Sequence, residues 1–232
     1  MAELASSGDT PFLVKNGTFQ SSQHSSALLE RVGGQEAIFS LTNSFYERAF
    51  KDSHFPQFVR DQGEAHGHRL GLWIIQKMSG ANVWSLSLET REEISHKLGN
   101  GQMHAVRDRS SAHVAAWYST KRQPENIGKR FKLEDCRVWL RMFFWAARDV
   151  GLLNDAQFSD WLTRFLGHFI AVYERTATLF VRDSLRWSDD KEAVQNYLDN
   201  GRVMEDVFNL RFSEALLQLP ENERNSQFPY ND

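Results

Sequence analysis

The feature that most constrains this chain is an apolar pattern that recurs every three or four positions. Trp139, Phe143, Ala146 and Val150 form one stripe between Leu133 and about Gly151. Phe158, Leu162, Phe165, Phe169, Tyr173 and Phe180 form another between about Asp155 and Ser184. That period places side chains on one face of a helix, whereas a half-buried strand needs alternation in twos. Ile38, Leu41, Phe45 and Ala49 repeat it from Gln35 to about Lys51, and His66, Leu70, Trp73 and Lys77 share a face from Glu64 to Met78. No internal repeat and no alternating pattern is seen. The expected fold class is all-α.

The segments between are less regular. A short helix at 27–32 is stopped by Gly33-Gly34, where glycine accepts a left-handed cap. Pro56 discourages a long helix in the turn-rich stretch 52–62. One short helix is expected around Glu89 to Leu98, a broken helix from Met103 to Tyr118, and an exposed loop at KRQPENIGKR, 121–130. After Trp187 two amphipathic helices are expected, Lys191 to Leu198 and Met204 to Leu219, before a polar end beginning at Pro220. The Ser-, Gly- and Gln-rich start, 1–25, reads as a flexible arm, with Asn16-Gly17 a turn-like stretch. The resulting organisation is an arm (1–25), a helical domain (26–185) and a C-terminal extension (186–232).

Composition excludes several functions. With 232 residues and a formal net charge of -3, the chain has no basic field to gather nucleic acid or anionic lipid. The most apolar run, Val138 to Val150, is interrupted by Arg141 and Arg148, so no membrane span is expected. The start lacks the basic region and apolar core of a secretory signal, and Cys136 is the one cysteine. A cytoplasmic protein without disulfides is therefore expected. No Gly-x-Ser-x-Gly, phosphate-cradling glycine loop or His-Glu-x-x-His occurs, and a di-iron site would need two Glu-x-x-His motifs where only Glu93 to His96 fits. Histidines amid 17 Phe and 7 Trp suit a haem pocket, although aromatic stripes at helical spacing also describe plain core.

Leu28-Leu29-Glu30-Arg31-Val32-Gly33-Gly34-Gln35-Glu36-Ala37-Ile38, continuing to Phe45-Tyr46-Glu47-Arg48, resembles the opening of a truncated haemoglobin. Arg69-Leu70 with Met78-Ser79-Gly80 is similar to that family's distal helix and its glycine terminus. Val138-Trp139-Leu140-Arg141-Met142 resembles the Trp-Leu-x-x-Met segment of the group II branch, with Met one residue sooner. The resemblance covers about Leu28 to Phe180, roughly two-thirds of the chain.

The resemblance implies a globin-like, truncated two-over-two helical sandwich around haem b, with extra C-terminal helices. Tyr46 would be the distal tyrosine, Phe58 an aromatic against the haem, His66 the distal gate and Leu70 its neighbour one turn on. Trp139 would be the distal tryptophan. His113, in Arg109-Ser110-Ser111-Ala112-His113, would hold the iron. An apparent insertion containing the 121–130 loop separates His113 from Trp139, so His104 stays as the alternative ligand. The implied function is reversible binding of O₂ or another diatomic gas. NO-dioxygenase or peroxidase-like turnover and a reductase partner are further implications. Two alternatives stand beside it: a haem-based sensor or adaptor whose C-terminal helices bind a partner, and a cofactor-free helical protein.

Overall fold

The computed structural model describes residues 12–59, 61–90, 94–106, 108–225 and 228–229. The described residues are mostly helical, as the apolar period predicts. The order is a hairpin of β1 (Leu13–Lys15) and β2 (Thr18–Gln20), then α1 (Gln23–Arg31), α2 (Gly34–Ala49), α3 (His66–Ser79) and α4 (Val83–Glu89). A second hairpin, β3 (Ile94–Lys97) with β4 (Met103–Val106), precedes α5 (Arg109–Trp117), α6 (Leu133–Asp149) and α7 (Ala156–Ile170). The C-terminal part holds α8 (Val181–Asp189), α9 (Lys191–Asp199) and α10 (Phe212–Leu217).

Helix α6 lies at the centre. It packs on α2 on one side and on α8 on another, and Val138, Leu140, Met142, Phe143, Phe144, Ala146 and Ala147 are all buried. Gly33 and Gly34 have φ of 106° and 67°, so the chain reverses between α1 and α2 with backbone that an L side chain would strain. α2 and α3 then approach closely. A Cβ on Gly71 would lie 2.6 Å from the Phe39 ring and 3.1 Å from Thr42 Oγ1. α7 is buried through Phe158, Trp161, Leu162, Phe165 and Leu166. The Phe165 ring packs 5.3 Å from Trp73 of α3 and 5.3 Å from Phe19 of the first hairpin.

Several expectations need correction. Residues 12–25 are not a loose arm: Phe19 is 5% exposed within the core, and Asn16 and Gly17 (φ 50° and 73°) make the tight turn of a hairpin. Residues 1–11 lie outside the described part. The helix expected over 89–98 and the first part of the one over 103–118 are instead the antiparallel pair β3–β4, in register Ile94↔Val106 and His96↔His104. The helix expected to run through to Ser184 breaks after Ile170, because Glu174 turns its carboxylate onto the Thr176 N–H (3.0 Å) and starts a 3-10 turn over Arg175–Phe180. The 121–130 loop is not simply exposed. Arg122 is buried and donates to the carbonyls of Trp117 (2.9 Å) and Lys129 (2.6 Å), closing the loop beneath the end of α5.

The C-terminal part packs back on the rest of the chain, and α8 runs straight across the expected boundary at 185/186. Trp187, Tyr197, Met204 and Val207 join the same core cluster as α6 and α7. Of the stretch 204–219, only Phe212–Leu217 is helical; Asn209 takes a left-handed φ of 60° just before it. Arg141 forms a two-pronged ion pair with Asp206 (2.8 and 2.6 Å), and Arg137 bonds Gln218 Oε1 at 2.8 Å. Among the described residues, no helix is long and apolar enough to cross a membrane.

The close α2–α3 contact makes a testable point. Alanine is the better helix former, but at position 71 its methyl group has no room. Gly71→Ala should therefore lower stability by about 1–3 kcal/mol in urea denaturation, where a helix-propensity effect alone would raise it.

Candidate functional site

A cavity of about 260 Å³ opens between α2, α3, α5, α6 and α7. Its walls are mainly aromatic and aliphatic, with Phe58, Trp73, Trp84, Phe131, Phe165 and Phe169 among them. An engineered apolar cavity of about 150 Å³ already takes up a benzene-sized guest, so this space is large for a helical core. Tyr46, Phe58, His66, Leu70, His113 and Trp139 all line it. His104 does not; it sits on β4 with Nε2 3.0 Å from the Ser111 carbonyl.

Each side chain is positioned by its own element. Tyr46 follows the buried stripe of α2 and packs on Phe45 (4.9 Å), Phe50 (5.4 Å) and the His66 ring (5.2 Å). Burial pushes its phenol up to about 12, against the Arg69 charge, so the hydroxyl remains a donor at any working pH. Trp139 stacks on Phe143 at 4.9 Å and meets Phe45 edge-on at 5.4 Å, which fixes the plane of its indole. Neither the Tyr46 hydroxyl nor the Trp139 N–H has a hydrogen-bond partner among the described residues. Two polar donors thus face an apolar space.

His66 begins α3 and donates from Nε2 to the Asp61 carbonyl at 2.6 Å. Burial lowers its pKa from the usual histidine value, against the opposing pull of the Asp61 carbonyl and Glu64. His113 lies on α5, whose start is capped by Asp108: the Asp108 carboxylate accepts the Ser111 N–H at 2.8 Å, and bonds from Ser111 lower its pKa. His113 Nδ1 meets the Tyr173 hydroxyl at 3.0 Å, and its ring packs edge-on against Tyr173 (4.7 Å) and Phe131 (5.8 Å). The bond to Tyr173 holds the orientation of the imidazole. Among the described residues no group of three or more His, Cys, Asp or Glu is placed to hold a metal ion by itself. The imidazoles that line the cavity are those of His66 and His113.

Sequence reasoning missed several lining residues. Tyr173 was assigned to a helical stripe, yet the break after Ile170 turns it toward His113. Asp135 and Cys136 precede Trp139 by four and three positions, so the helical period already placed them on its face. Burial, with the Asp135 and Glu174 charges, raises the Cys136 thiol well above its usual value, which makes it an inert wall. Asp135 is more unusual, being a carboxylate only 5% exposed; it bonds His54 Nε2 at 2.6 Å. Arg69 also lines the cavity and is paired with Glu64.

The lowered His66 value has a measurable sign. Below about 6.5 the unfolded chain takes up a proton that the folded protein refuses until its own lower value is reached, so acidification removes stability. His168, lowered by burial and by Lys77, acts in the same direction. The stability lost between pH 7 and pH 5 should be smaller in His66→Gln than in the parent chain, measured by urea denaturation at both pH values.

Compared with models of known families, with curated proteins and with solved structures, the chain matches none. The chemistry of the cavity itself carries the functional reading.

Proposed function

We propose that the cavity holds one haem b per chain and that the protein is a globin-like, truncated-haemoglobin-type binder of O₂ or another diatomic gas. The observation that supports this most is the gathering of His113, with its Nδ1 engaged by Tyr173, and the partnerless donors of Tyr46 and Trp139 around one aromatic cavity. The residues fit the group. An apolar space with flat aromatic walls accepts a macrocycle, and the half-buried Tyr46 and Trp139 leave their donors open to a ligand in it. The chain carries no Cys-x-x-Cys-His motif, so attachment is non-covalent.

Haem iron, when bound, supplies a centre at which a diatomic gas binds reversibly and at which oxygen can be activated. The chain's own residues then divide the work. His113 would supply the nitrogen that holds the iron, and Tyr173 holds its ring in one orientation. The Tyr46 hydroxyl and Trp139 N–H donate to a polarised ligand atom beside mainly apolar walls, where such bonds are strengthened. Leu70 and Phe58 occupy wall positions that restrict access. His66, tied to the Asp61 carbonyl, contributes only when that bond opens. NO dioxygenation or peroxidase-like turnover belongs to the same proposal, since the same donors favour charge developing on oxygen.

The test begins with the visible spectrum of the purified protein titrated with haem. A Soret band saturating at one haem per chain supports the proposal, and no band ends it. His113→Gly should lose that band and regain it with added imidazole, while His104→Ala keeps it. Hydrogen bonds to a charged acceptor contribute about 1.5–3 kcal/mol, so Tyr46→Phe and Trp139→Phe should each speed O₂ release roughly ten- to a hundredfold by stopped flow. Unchanged rates in both, with a large increase in His66→Leu, would make His66 the main donor.

A further inference from the structure

Asp135 is an unexpected wall for a haem cavity. Its carboxylate is buried, and an isolated charge in an apolar space is expensive. Its two oxygens perform different tasks. Oδ2 accepts the Lys132 N–H at 2.7 Å, which caps α6. Oδ1 is unnecessary for that cap and instead meets His54 Nε2 at 2.6 Å. The Arg122 guanidinium attracts the same carboxylate. Asp135 thus faces the cavity, and His54, whose side chain is 20% exposed, reaches solvent.

The tautomer of His54 is set by its neighbours. Gln57 Nε2 donates to the His54 carbonyl at 2.9 Å and lies 3.0 Å from His54 Nδ1 and 3.3 Å from Nε2, so it does not choose between the ring nitrogens; Asp135 does, because its carboxylate oxygen, 2.6 Å from Nε2, accepts. Nδ1 is therefore the acceptor and Nε2 carries the proton that points at Asp135. The ring is held in place from several elements. Asp52 accepts the His54 and Phe55 backbone N–H groups (2.9 and 2.7 Å) and the Tyr197 hydroxyl (3.0 Å), and the Phe208 ring covers the imidazole at 4.7 Å. Tyr197 and Phe208 belong to the C-terminal part of the chain, so its packing also orients this pair.

We propose that His54 and Asp135 form a proton relay that carries protons from solvent into the cavity, toward a small peroxide bound there; this rests on the haem reading of the cavity. A solvent proton adds at His54 Nδ1, the proton on Nε2 passes to Asp135 Oδ1, and the Asp135 carboxyl releases a proton to the peroxide oxygen that becomes basic. The imidazole returns to its first tautomer by exchange with solvent. One proton enters and one leaves, and no electron moves through either side chain.

The test mixes the ferric, haem-loaded protein with hydrogen peroxide and follows the Soret band in the parent, Asp135→Asn and His54→Gln. Asparagine keeps an oxygen for the Lys132 N–H, so the α6 cap survives in the first variant, and glutamine keeps an N–H for Asp135 in the second. General acid–base transfer contributes about 10²–10⁴-fold, so each variant should react at least roughly a hundredfold more slowly. Added formic acid, a small diffusible proton donor, should restore much of the Asp135→Asn rate. A second measurement is independent of peroxide: the ¹⁵N spectrum of histidine-labelled protein should show His54 protonated at Nε2 and bare at Nδ1. Unchanged rates with a normal Soret band overturn the relay alone, as does a loss that formic acid leaves unrestored or a His54 ring protonated at Nδ1. Absence of any Soret band overturns the haem reading and the relay with it.

Discussion

The structure depends on a helix that is buried on nearly every side. α6 carries eleven buried residues of its seventeen, among them Asp135, Arg137 and Arg141. A helix of that kind needs partners for its charges as well as for its apolar atoms. The C-terminal part supplies them. Arg137 and Arg141 stand one turn apart, Asp183 lies 3.5 and 3.7 Å from them, Asp206 grips Arg141, and the rings of Phe180 and Trp187 cover the guanidinium groups at 4.5 and 5.2 Å. Even so, Arg137 Nε and Nη1 and Arg141 Nε find no hydrogen-bond partner among the described residues. Electrostatic and cation–π contact offsets that loss only in part. Burial at the low dielectric of this site, helped by the neighbouring Arg141, holds Arg137 down to about 10, which leaves it charged in neutral solution.

The opposite requirement shapes the cavity. Where α6 faces α2, α3 and α5, its residues Asp135, Cys136 and Trp139 border open space as well as packed side chains. Aromatic rings suit such walls, because they have few rotamers to lose and hold their shape against collapse. Trp139 on Phe143, Tyr46 between Phe50 and His66, and His113 between Tyr173 and Phe131 are each held by rings on neighbouring helices. The two donors and the imidazole come from different elements: α2 and α6 carry Tyr46 and Trp139, while α5 carries His113. A ligand between them would be bonded from more than one wall.

Much of this was legible from residue order. The spacing of apolar residues located α2, α3, α6 and α9 to within a few residues, because each has one continuous face against the core. Both hairpins escaped notice for the same reason. Each has strands of three or four residues, too short for alternation to register, and their real signal was the Asn-Gly pair at 16–17 and at 100–101. Over Tyr173 the aromatic period misled in the other direction: it runs unbroken through Phe180, while the Glu174 carboxylate ends the helix by a local bond that periodicity does not report.

What the sequence determined by itself was local: which segments are helical, which faces are apolar, where glycine permits reversal, and which residue types are present to bind a ligand. Only the tertiary structure decided which of them meet. The 121–130 loop lies between His113 and Trp139 with a path that the sequence does not show, and Arg122, bonded to two carbonyls, closes that loop while both residues line one cavity. It also decided that Asp135 would find His54, which lies 81 positions earlier, and that the C-terminal part would cover α6 instead of standing apart. Pairings of that kind depend on long-range packing and on the need to satisfy buried charge, and no periodicity within a helix encodes either.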